Sequence, residues 1–200
     1  MNKFIMKIKV FLAFFVLLSC ESKIKNINIS EPTKLNKIPG KYLVFVDKQG
    51  WDLKKKYNFF RCKKEKFNIN INSIYQEKII KILNQTFYNI SFIDYQIPEK
   101  TLNFEEYDGF LEIIQNNAFS EFRFNGDFSE FRLILYGLIK IRGPQSKIFK
   151  SNISAEGYGR KEVLINCNAR LVSLIAVENS LSQYITIISD NIYKGIKSIK

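Results

Sequence analysis

Residues 119–132, FSEFRFNGDFSEFR, write one pentapeptide twice: Phe119-Ser120-Glu121-Phe122-Arg123 and Phe128-Ser129-Glu130-Phe131-Arg132 flank Asn125-Gly126. Asn-Gly is a preferred pair for a two-residue β-hairpin, because both central positions need positive φ. Two copies are too few for a solenoid, which needs at least about three repeats. The echo therefore reads as two like-patterned arms whose Glu and Arg side chains face across the hairpin. The second arm continues through Leu133, Leu135, Ile139 and Ile141 to Arg142 and turns at Gly143-Pro144. A further strand is expected over Lys147–Glu156, after which Gly157 and Gly159 loosen the chain. The centre of the fold is thus an antiparallel meander.

Working towards the N-terminus, Phe110–Ile114 (FLEII) and Ile90–Asp94 (ISFID) read as strands, separated by a loop that holds Pro98 and the acids Glu105, Glu106 and Asp108. Ser73 and Gln76 have capping-box spacing. Tyr75, Ile79, Ile82, Leu83 and Phe87 then recur on one stripe, predicting a helix over Ser73–Thr86. Phe67–Ile71 alternates like a half-buried strand, and Tyr42–Val46 (YLVFV) is the expected first strand. Beyond the meander, Leu174, Val177, Leu181, Tyr184, Ile185, Ile188 and Ile192 define a final helix from about Ala169 to Gly195, capped by Asn168. A stripe of that kind packs on a sheet or, in the sharper alternative, against a coiled-coil partner. The fold class expected is α+β: an antiparallel sheet of about five to six strands with two helices packed on one face.

The N-terminus is of another kind. Lys3, Lys7 and Lys9 precede the apolar run Val10–Leu18, which is short for a membrane span and the right length for a signal-peptide core. The run ends in Leu17-Leu18-Ser19-Cys20, which resembles the lipobox of bacterial lipoproteins. The resemblance implies lipidation of Cys20 and cleavage before it. Alternatives are an ordinary cleaved signal with an incidental cysteine, or a short membrane anchor. Three segments follow: a signal peptide at 1–19, a lipidated cysteine with a flexible tether at 20–40, and one periplasmic domain at 41–200. Glu21 is not the aspartate that retains enteric lipoproteins at the inner membrane, so the same resemblance implies the periplasmic face of the outer membrane. In layout the chain resembles the small accessory lipoproteins of lipopolysaccharide assembly and of ABC-type lipid transport, which implies a membrane partner through the lipid and an envelope protein partner.

Of three cysteines, Cys62 and Cys167 remain once Cys20 is given to lipid. An even remainder outside the cytosol favours a disulfide; the alternative is two buried thiols. Cleavage would remove three lysines and no acid, lowering the net charge from +12 to +9. That balance suits an anionic lipid or glycan, while the expected compartment speaks against nucleic acid. The chain has no histidine, which removes Ser-His-Asp and Cys-His catalysis and the histidine zinc sites. No phosphate loop is present, Gly157-Tyr158-Gly159 being a lone pair. No catalytic residue, cofactor or metal is expected, although a carboxylate pair for hydrolysis has no sequence signature of its own.

Two binding candidates emerge. In the basic-aromatic stretch 51–66, Lys54, Lys55, Lys56, Arg61, Lys63 and Lys64 flank Trp51, Tyr57, Phe59 and Phe60, so that cations meet headgroups while rings dip into an interface. Its plain alternative is a solvated lysine-rich loop with some of its rings buried. The second candidate is the edge of the hairpin Phe119–Arg142, offered for strand addition or blocked by its own charges.

Overall fold

The repeated pentapeptides lie opposite one another as hairpin arms in the computed structural model, which describes residues 27, 29, 36–56, 66–98, 104–162 and 169–200, with backbone alone for 52–56 and 66–70. Strand β5 (Gly109–Asn125) pairs antiparallel with β6 (Phe128–Arg142), ending at Asn125 opposite Phe128. The turn sits one residue later than the Asn-Gly pair predicts. Gly126 alone takes a positive φ, of 61°, while Asn125 stays extended as the last residue of its strand. A glycine at the first central position is the other common way to match the twist of the arms. Glu121 lies opposite Arg132 and Arg123 opposite Glu130, as the echo implies. The close ion pairs run elsewhere: Arg123 to Glu121 along its own strand, and Arg132 to Glu156 and Glu130 to Arg160 on the next strand.

That next strand is β7 (Ile148–Glu162), antiparallel to β6 along its whole length. It does not loosen at its glycines. A Cβ on Gly157 would stand 1.9 Å from the carbonyl oxygen of Ala176, and one on Gly159 2.0 Å from that of Val172. The glycines let the final helix lie directly on the strand.

Strand β1 (Ile38–Val46) continues the sheet on the other side of β5, and β4 (Phe87–Ile93) forms the far edge, in the order β4-β1-β5-β6-β7. Both contacts of β1 are parallel, so the meander is antiparallel and this margin is not. Between β1 and β4 the chain forms a separate hairpin, β2 (Asp52–Lys56) with β3 (Lys66–Asn70), and then helix α1 (Ile71–Thr86). The helix starts two residues before Ser73, which therefore does not cap it, and Phe87 closes the helical stripe as the buried first residue of β4.

The last helix, α2 (Ala169–Ile199), runs along β6 and β7 and also touches α1. By length and composition it is able to cross a membrane, but half of its apolar window is buried inside the domain. It is a core helix of the α+β sandwich. Tyr42 and Val44 of β1, Leu111 and Ile113 of β5, and Leu133, Leu135, Ile139 and Ile141 of β6 meet α1 and α2 in one core. Burying each such side chain contributes about 1.5–3 kcal/mol. The core reaches back beyond residue 41: β1 begins at Ile38, and Ile27 and Ile29 are buried in it. Two isoleucines of the expected tether thus belong to the domain.

Candidate functional site

The basic-aromatic stretch does not stay together as a surface. Trp51 is only 3% exposed. Its ring packs edge-on against Tyr75 of α1 at 5.3 Å and Tyr184 of α2 at 4.9 Å, and those two rings are 5.9 Å apart. Trp51 is therefore a core residue and not a ring dipping into a lipid interface. The apolar area of the indole outweighs the lysines that follow it in sequence. Lys54, Lys55 and Lys56 lie on β2, with their side chains outside the described residues, as are Arg61, Lys63 and Lys64 and the cysteines Cys20, Cys62 and Cys167.

Around Trp51 the helix–sheet seam is polar in a way the sequence pattern did not announce. Trp51 Nε1, the hydroxyls of Tyr75 and Tyr184, both amide atoms of Gln115 and Oδ1 of Asn72 are buried without a hydrogen-bond partner among the described residues. One such atom costs about 1–3 kcal/mol. Six at one place weigh heavily in a domain whose total stability is on the order of 5–15 kcal/mol. Burial, reinforced by the carboxylate of Asp47, holds the Tyr75 and Tyr184 hydroxyls well above the ordinary phenol range. Both are neutral donors at physiological pH. The backbone is also unusual here. A bulge follows Gln115, and its cross-strand partner is Gly137, where a Cβ would stand 1.8 Å from the Tyr184 hydroxyl. Bulges and close backbone approaches of this kind re-aim side chains beside binding sites.

The opposite face of the sheet carries a buried ion cluster. Arg142 lies 3.2 Å from Glu112, donates to the carbonyl oxygen of Ile97 at 2.8 Å and covers the ring of Phe110 at 4.5 Å. Lys140 is 3.9 Å from the same carboxylate. The cluster anchors the segment before Pro98 to the sheet. In the acidic loop, Glu106 pairs with Lys41 at 2.7 Å and Asp108 accepts from the Lys41 backbone N–H, so these acids tie down the start of β1. Among the described residues no group of three acidic, histidine or cysteine side chains is placed to hold a metal.

In the Phe119–Arg142 hairpin, β6 is paired on both sides, by β5 and β7, whereas β1 pairs with β5 only from Gly109 to Ile113 and does not reach the Phe119–Asn125 arm. β7 forms one edge of the whole sheet, and α2 closes part of that edge. Gln183 accepts from the Glu156 backbone N–H at 2.7 Å, and Asn179 donates to the carbonyl oxygen of Tyr158 at 3.1 Å.

No family model matches the chain, and no curated protein matches it. Among solved structures it is similar to a putative neuraminyllactose-binding hemagglutinin homolog from Helicobacter pylori, with 11% identity, a TM-score of 0.51 and coverage of 86% of this chain and 97% of that one. It is also similar to a Xanthomonas campestris protein of the DUF330 family (8% identity, TM-score 0.49, 84% and 92% covered). A third is a minor lipoprotein from Acinetobacter baumannii (11% identity, TM-score 0.37, 76% and 92% covered). The first shows a shared fold. None of the three is described by a reaction, or as a lipopolysaccharide-assembly or lipid-transport accessory protein.

Proposed function

We propose that the chain is a lipid-anchored, non-enzymatic accessory protein of the bacterial cell envelope, held at the periplasmic face of the outer membrane, where it supports an envelope complex or a lipid-transport machine. The observation that carries this reading is Leu17-Leu18-Ser19-Cys20 directly behind the apolar run Val10–Leu18. Several acyl chains at one terminus anchor stably where a single chain does not, each buried methylene contributing about 0.8 kcal/mol. Support comes from the lack of histidine and from a fold shared with a protein whose description names binding and no reaction. Crosslinking in intact cells tests it. A membrane protein should co-purify in fixed stoichiometry at low and high salt alike; recovery of the uncrosslinked chain alone would contradict the role.

A second reading is capture of an anionic glycan or lipid through the lysines of the 51–66 stretch. The description of the Helicobacter protein, neuraminyllactose-binding, names a ligand of that chemistry. With Trp51 inside the core, the cations of the stretch carry this reading. Replacing Lys54, Lys55 and Lys56 by alanine should abolish binding to vesicles bearing anionic lipopolysaccharide, and raised salt should weaken it. Binding indifferent to both would exclude the stretch.

A further inference from the structure

The seam between α1, α2 and β5 holds more hydrogen-bonding capacity than its residues use on one another. Tyr75 and Tyr184 are fully buried, Trp51 is 3% and Gln115 6% exposed, and their polar atoms lack partners among the described residues. They converge from four elements. Trp51 closes the segment after β1, Tyr75 comes from α1, Gln115 from β5 at its bulge, and Tyr184 from α2 against Gly137 of β6. Local rules broken together at one point are the mark of a site and not of packing.

We infer that Trp51, Tyr75, Gln115 and Tyr184 form an internal binding site for a small neutral hydroxylated molecule, of the class of a sugar unit or a shorter polyol. The match is chemical. The indole N–H donates, the amide of Gln115 both donates and accepts, and the two phenols do either. A polyol hydroxyl likewise does both, so it satisfies a mixed set that a purely accepting anion leaves half unused. Three aromatic rings supply apolar edges and faces for its C–H groups. Among the described residues, the charge that acts on both tyrosines is the carboxylate of Asp47, partly exposed just after β1, which accepts from a hydroxyl and repels an anion. The rings touch each other in the present conformation, so entry requires them to part; the segment just before Trp51 is exposed at Lys48 and Gln49.

Trp51 is the sole tryptophan, and its fluorescence reports on this site alone. The full chain, held in a detergent without a sugar headgroup, is titrated with glycerol, galactose, N-acetylglucosamine and the anionic sialic acid. At least one neutral probe should give a saturable change, with sialic acid weaker. Gln115→Leu and Tyr184→Phe should each weaken binding roughly tenfold, the loss of about one hydrogen bond, with the circular dichroism of the fold retained. Tyr184→Phe removes a single oxygen and serves if Gln115→Leu does not fold. The inference is overturned if no probe gives saturation, if both variants bind as the parent does, or if crystals soaked in the probes show ordered water only. None of these outcomes touches the anchor at Cys20, so failure here is separable from failure of the envelope reading.

Discussion

At Gly157 and Gly159 a single added carbon meets main-chain atoms of α2, which do not swing aside as a side chain would. Gly157→Ala should therefore lower stability by about 1–3 kcal/mol, the usual cost of overpacking, read as a lower urea midpoint at unchanged slope; an unchanged midpoint would mean the helix does not lie where it is placed. The buried tyrosines set an alkaline limit. Burial pushes the Tyr42 hydroxyl up to about 12 and holds those of Tyr75 and Tyr184 well above the ordinary phenol range. A pKa raised in the folded state adds stability that is complete below the ordinary value of 10 and is lost as pH rises through the folded value. Stability should thus fall from about pH 10 upward, and phenolate absorbance of these three should appear with unfolding, not before it. Early, non-cooperative titration would place them at the surface. Tyr75 and Tyr184 were legible as core from their helical stripes. For Trp51 the sequence leaves burial as one alternative without singling out the ring, because three lysines follow it within five residues and local charge does not mark where the chain turns inward. Gln115 carried no signal, since a polar residue within a strand reads as solvent-facing until the bulge is known.

Alternation and turn chemistry made the meander readable, because antiparallel neighbours are joined by short connections whose residues announce them. The parallel pairing of β1 with β4 and β5 depends on contacts across a hairpin and a helix, and nothing local encodes it. The boundaries of α1 were blurred for a related reason: Ile71 continues the alternation of the preceding strand yet belongs to the helix. At the β7 edge, side chains of α2 occupy backbone groups that another strand would otherwise pair with. Joint replacement of Asn179 and Gln183 by alanine should leave the chain folded while raising concentration-dependent association in light scattering. A double variant as monodisperse as the parent would show that these contacts do not guard the edge.

For the whole molecule, the sandwich and its single core were within reach of pattern reading, whereas the depth to which Ile27 and Ile29 enter that core was not. Isolated isoleucines among lysines and asparagines have no period to betray them. Their burial leaves six residues between Cys20 and the first core contact, Ile27, so that seven residue steps span at most about 24 Å of extended chain. A lipid at Cys20 would therefore keep the domain near its membrane, as an accessory role beside a membrane machine requires. Paired Cys62 and Cys167 would suit the same compartment, and the oxidised chain should then run faster than the reduced one in a denaturing gel; equal mobility would mean free thiols.

The most direct measurement is the mass of the processed N-terminus, taken from the membrane fraction for the parent and for Cys20→Ser. The parent chain should begin at residue 20 and carry acyl groups, and the variant should stay uncleaved and unacylated. An unmodified parent chain of full length recovered from the soluble fraction would contradict lipid anchoring.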